Sequence, residues 1–169
     1  MKSRIHKEGA TLLLFILFIV VFSPPVQALT SDNQEPIYID SKKQEINMLA
    51  NTATLRGEVI IRQGSMNIYA DKVMVTHYND KLRNIIIEGY GNPVSFHQLQ
   101  DHGKLLHGRA QKVRYESATC RVIFIGNAYL EHLSSNIQGD QITCLLNKKQ
   151  IKAVGSKGKQ VTSVLIPGQ

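Results

Sequence analysis

Apolar and polar residues alternate along most of the chain after residue 28, and the clearest stretch is written twice. Gly57–Val75, GEVIIRQGSMNIYADKVMV, matches Gly126–Cys144, GNAYLEHLSSNIQGDQITC, without a gap. Gly57 falls on Gly126, Ile61 on Leu130, Asn67 on Asn136, Ile68 on Ile137 and Asp71 on Asp140. In the first copy Leu55, Gly57, Val59 and Ile61 keep odd positions, Ile68 and Ala70 even ones, and Val73 and Val75 odd ones again. The second copy inverts every parity together, with Val122, Phe124, Gly126, Ala128 and Leu130, then Ile137 and Gly139, then Ile142 and Cys144. A period of two means strands with one face buried. The slip between Ala70 and Val73 predicts a bulge or corner, where a strand turns onto a second layer. Asp71 and Asp140 fall at equivalent corners, and a looser third copy, Ala110–Tyr115, echoes Ala70–Val75.

The rest of the chain follows the same grammar. Ile37 and Ile39 share a face in a first strand, Ile46 and Met48 mark a second, and Leu29–Gln34 reads as a mobile lead-in. Gln63-Gly64-Ser65 and Asn147–Gln150 read as turns, as does the loop His77–Lys81. Gly57, Gly91 and Gly126 stand where a strand can bend. After residue 28 no stretch sustains helical spacing. The expectation is all-β: an elongated stack of about 14–16 short strands, each layer burying its apolar face against its neighbours.

The first 28 residues have another character. Lys2, Arg4 and Lys7 precede an apolar run from Thr11 to Phe22; Pro24-Pro25 and then Val26-Gln27-Ala28 follow. This is the pattern of a cleaved export signal, and the run is shorter than the ~20 residues a membrane span needs. Residues 1–28 are therefore expected to be a signal peptide and 29–169 one domain. The full chain carries a net charge of +7. The dispersed charges fit solubility as well as an anionic partner, and export argues against nucleic acid. Cys120 and Cys144 both lie on the apolar parity. A disulfide and two buried thiols both fit such positions in an exported protein.

Signs of catalysis are weak. His97, His102 and His107 recur at five-residue steps around a turn, which places them on alternate faces of strands. Paired corner aspartates are better explained as turn residues than as a hydrolase pair. No nucleophile elbow and no phosphate-cradling glycine loop is present, so neither an enzyme nor a cofactor site is expected. With two phenylalanines after residue 28 and no tryptophan, the interior is built of slim side chains, a composition that fits a filled core as well as one with space down the middle. One reading from these residues is a periplasmic polysaccharide-binding or scaffolding β protein, although the tyrosines are scattered in sequence.

The blocks ADKVMVT, EGYGNPVSF, GNAYL, SNIQGDQIT and VTSVLIP resemble the OstA-like family of periplasmic lipopolysaccharide-transport proteins, from about Gln34 to the end. The resemblance implies a twisted antiparallel β-jellyroll, open at both ends, with an apolar groove for lipid A acyl chains. It also implies periplasmic location, head-to-tail assembly, and inner-membrane and outer-membrane partners of the same fold. By matching motifs, Ile37, Ile39, Phe96 and Tyr115 would line the groove. Apolar parity adds Val59, Ile61, Val73, Val75, Phe124 and Leu130. At ~0.8 kcal/mol per buried methylene, a dozen are worth on the order of 10 kcal/mol before costs, so movement requires a succession of similar sites.

Overall fold

Alternation becomes a single sheet of ten antiparallel strands among the residues described by the computed structural model, 32–77, 84–100 and 103–166. The expected signal peptide, the loop at 78–81 and His102 lie outside those residues. The strands are β1 (Tyr38–Asp40), β2 (Lys43–Asn47), β3 (Thr52–Gln63), β4 (Met66–His77), β5 (Ile85–Leu99), β6 (Leu105–Glu116), β7 (Arg121–His132), β8 (Ser135–Leu145), β9 (Gln150–Val154) and β10 (Thr162–Val164). From β3 to β8 each strand pairs with the next in sequence; β1 and β2 both pair with β3, and β9 and β10 both pair with β8.

The corners explain this forked arrangement. Register shifts fall at Arg56/Val59, Tyr69/Lys72, Tyr90/Val94, Arg109/Lys112 and Ile125/Ala128. In β3, Gly57 and Glu58 are both left-handed, with φ of 79° and 48°, and in β7 Gly126 and Asn127 repeat this at 78° and 48°. Opposite each pair stands one aspartate, Asp71 or Asp140, so two residues face one as in a bulge. Two successive left-handed residues bend the strand yet leave Leu55 and Val59 both buried on one parity. That is why alternation shows the corner in β4 and hides it in β3. The corner at Gly91 in β5 is also where expected, and the third copy begins at a corner, with Ala110 buried like Ala70.

Because β3 to β8 all bend in step, the sheet folds into two half-sheets that share long strands. The first contains β1, residues 59–63, 66–70, 94–99, 105–110, 128–132 and 135–139, and β10. The second contains β2, residues 52–56, 72–77, 85–90, 112–116, 121–125 and 141–145, and β9. The expected 14–16 short strands are these segments; ten is the count because six strands run on through a corner. The apolar faces meet across the fold in one cluster from Leu55 to Cys144, each large aliphatic side chain contributing about 1.5–3 kcal/mol by burial. Gly108 lets this happen in the middle: the Phe124 ring occupies the space a side chain there would take.

Two expectations about the first strands change. Ile46 and Met48 are 69% and 85% exposed, and Met48 lies beyond β2. Among the described strands β2 is the outermost of its half-sheet, so its apolar residues find no further strand there to pack on. The lead-in is also more structured than its polarity implies. Asp32–Gln34 forms a 3-10 turn held by side-chain hydrogen bonds to both half-sheets.

Candidate functional site

Every one of the ten candidate residues belongs to the interior between the half-sheets. Val59, Ile61, Val73, Phe96, Tyr115, Phe124 and Leu130 are at most 2% exposed, and Ile37, Ile39 and Val75 pack against the same cluster half-buried. Phe96 from the first half-sheet and Phe124 from the second meet edge to face, centroids 5.6 Å apart. The interior is thus apolar and continuous, and its side chains fill it. Lys112 and Arg114 alternate with Val113 and Tyr115 and point outward, where both bind the Glu88 carboxylate.

Opposite the corners, the turns of the two half-sheets face each other across a mouth, and here the site turns polar. Tyr115 Oη donates to Gln63 Oε1 at 2.9 Å, linking the half-sheets. Gln63 Nε2 donates in turn to the Glu35 carbonyl at 3.0 Å. The Asp32 carboxylate accepts from Ser65 Oγ and from Gln98 Nε2. Asn33 Nδ2 reaches across to Cys120 Sγ at 3.3 Å. Asp32 and Asn33 therefore roof a cavity of about 180 Å³ at the mouth, bordered by Met66, Tyr115, Cys120 and Lys149. Burial pushes the Tyr115 hydroxyl well above its ordinary pKa, so it stays a donor.

Gln63 and Gln98 are the residues that sequence reasoning missed. Both are buried, and both continue an apolar parity, Val59-Ile61-Gln63 and Val94-Phe96-Gln98. An amide at the end of such a series was the available signal, because a buried amide needs a partner.

Other sequence candidates land elsewhere. His97 and His107, ten residues apart and so on one parity, share a face: the β5–β6 hairpin sets them directly opposite, stacked at 4.6 Å. Tyr69 and Tyr129 flank them, so tyrosines scattered in sequence gather with them in one row on the first half-sheet. Their faces and edges are turned on one another, a poor platform for a sugar ring. Among the described residues no group of three or more His, Cys, Asp or Glu is placed to hold a metal ion. The two cysteines are buried free thiols, so the disulfide alternative is not realised.

Comparison with known proteins decides the family. Residues 38–150 match the family described as "LptA/(LptD N-terminal domain) LPS transport protein". The chain belongs to that family. It is 41% identical over 169 residues to the lipopolysaccharide export system protein LptA of Escherichia coli K12, covering all of this chain and 91% of that one. It is 39% identical over 158 residues to the LptA of Haemophilus influenzae, covering 93% and 92%. The fold is that of the crystal structure of LptH, the LptA-homologous periplasmic component of the lipopolysaccharide transport device of Pseudomonas aeruginosa. There the TM-score is 0.75 at 19% identity, over 81% of this chain and 99% of that one. Family membership accounts for an interior without catalytic groups: this is a family of transport proteins.

Proposed function

We propose that this protein is a periplasmic carrier in lipopolysaccharide export, holding lipid A acyl chains between its half-sheets and handing them on along a chain of like-folded domains. The observation behind this is the interior itself, an unbroken apolar layer from Ile37 and Ile39 to Leu130 and Ile142. The half-sheets are covalently joined along one side, at the corners, and on the other they are tied mainly by polar contacts at the mouth. Parting them at the mouth exposes an apolar groove without breaking a strand pairing. Acyl chains then replace packing that side chains make with one another, so lipid binds without the deep trap a permanently empty groove would form.

The two ends support the assembly. The exposed large apolar residues include Tyr38, Ile46, Met48 and Leu49 at one end and Ile151, Val154, Val164, Leu165 and Ile166 at the other. There β1 and β2, and β9 and β10, each have one neighbour only among the described strands. Exposed edges beside apolar patches suit strand addition, and unlike ends propagate rather than close. The same ends fit inner-membrane and outer-membrane components of this fold.

A photo-crosslinking scan tests the interior. Reactive residues at Phe96 and Tyr115 are expected to capture lipopolysaccharide and one at Lys112 is not. Equal capture at Tyr115 and Lys112 overturns the reading.

A further inference from the structure

A cleft of about 540 Å³ runs along the outside of the corners, on the side away from the mouth. Five side-chain amides converge on it, each from a different element: Asn92 of β5, Gln111 of β6, Asn127 of β7, Gln138 of β8, and Gln160 between β9 and β10. All five are exposed. Asn92, Gln111 and Asn127 stand at the corners themselves, at positions left without a cross-strand partner where the register shifts. A bulge re-aims a side chain. Here the bulges of three neighbouring strands aim amides into one place. Among the described residues none of the five amides hydrogen-bonds to another group, so their donors and acceptors are open to a ligand.

The chemistry of the row selects its occupant. An amide side chain donates and accepts at once, and so does a hydroxyl, so a row of amides is matched by a ligand rich in hydroxyls. A peptide is the competing match. Peptides dock on sheets through backbone groups at an exposed edge, however, whereas four of these amides stand on β5 to β8, each flanked by strands on both sides. Arg109 also lines the cleft and lies 4.5 Å over the centre of the Tyr129 ring. With that face covered, a sugar ring is held at its edge by hydrogen bonds rather than stacked. The volume falls within the ~300–1,000 Å³ of sites for small ligands, which gives room for a short oligosaccharide.

We propose that this cleft binds a short oligosaccharide edge-on, through its amide row and Arg109, whether or not the interior holds lipid. Two sources share the hydroxyl chemistry, the sugars of lipopolysaccharide and the glycan of the cell wall. The interior opens at the mouth, so the sugars of a glycolipid held there emerge on the opposite side of the molecule. A saccharide in the cleft therefore belongs to a different molecule from the one carried inside.

Saturation-transfer NMR tests this with two probes: the oligosaccharide freed of acyl chains from lipopolysaccharide by mild acid, and short cell-wall glycan fragments freed of peptide. Transfer to one names the source, and transfer to both supports a site that reads hydroxyls without choosing between them. Gln138→Ala/Gln160→Ala is expected to weaken binding roughly tenfold, the loss of two hydrogen-bonding amides. Gln141→Ala, the same change on β8 outside the cleft, is expected to leave it unaltered. Circular dichroism confirms that each variant is folded. No transfer to either saccharide at millimolar concentration, binding that survives in the double variant, or equal loss in Gln141→Ala overturns the site. So does a preference for a cell-wall peptide over both saccharides. Capture of lipopolysaccharide by a reactive residue at Phe96 is expected to be the same with and without the double substitution. Its absence from the unsubstituted protein would count against the transport reading and leave the cleft standing.

Discussion

Tyr115 and Gln63, on strands β6 and β3 and in different half-sheets, form a buried hydrogen bond of 2.9 Å beside the mouth. The pair is a clasp with its own weakness. Tyr115→Phe leaves the Gln63 side-chain oxygen buried without its donor, a loss expected to cost about 1–3 kcal/mol. Tyr115→Phe with Gln63→Leu removes both partners and is expected to recover part of it. Urea unfolding of the four proteins of this cycle provides the measurement; strict additivity would show that the bond carries no coupling.

Asp32 is the anchor of the roof, since Ser65 and Gln98 both donate to its carboxylate. Asp32→Ala is expected to release Asn33 from Cys120, raising the rate at which a thiol reagent modifies Cys120 while the Cys144 rate stays unchanged. The stability change is expected to be about 1 kcal/mol, as for other single side-chain contacts. Unchanged Cys120 modification would mean that other contacts hold the roof down.

Gly108 is required by the close approach of Phe124. Gly108→Ala drives a methyl into that ring, and overpacking of this kind costs about 1–3 kcal/mol. Phe124→Leu in the same molecule is expected to relieve part of the strain. Thermal unfolding of the single and double variants checks this. Equal stability of Gly108→Ala and wild type would show that the half-sheets part more readily than their packing implies.

His97 is held below its ordinary pKa of 6.5, first by burial and then by the charge of His107 stacked on it. Its folded pKa is depressed, so the unfolded chain takes up the proton first as pH falls. The stability present above about 6.5 is lost as pH falls through the lower folded value. Urea midpoints at pH 7.5 and 5.5 are expected to differ in wild type and to converge in His97→Gln. Loss from Glu88 and Glu116 belongs to a separate window, below 4.5: burial raises both carboxylates, but hydrogen bonds from Lys112, Arg114 and Arg121 outweigh it. A slope between pH 7.5 and 5.5 unaltered by His97→Gln would remove the histidine pair as its source.

Val164 closes β10, whose outer edge is unpaired among the described strands. Val164→Pro removes a backbone donor and is expected to weaken head-to-tail association while leaving the interior intact. Light scattering across a concentration series reads this directly. Wild type that stays monomeric at high concentration, or a variant that associates as before, would require another route to the bridge.

Much of this protein was legible from alternation alone. A period of two in apolar residues is a local property, and by itself it marks the buried side chains Val59, Ile61, Val73, Phe124 and Leu130, whereas Phe96 was marked by the resemblance to the family. The repeat also located corners at Asp71 and Asp140, because a bulge leaves a parity slip in one strand of a pair. What alternation could not reach depends on which turns come together in space. The clasp between Tyr115 and Gln63 joins residues 52 positions apart, and Asn33 meets Cys120 over 87. His97 and His107, ten positions apart in sequence, became stacked neighbours only when β5 folded back on β6. Likewise Ile46 and Met48 carry the signature of a buried face, but burial needs a layer on the other side, and the end of the stack supplies none. Period sets which face of a strand is apolar; only the closing of one half-sheet on the other decides what that face meets.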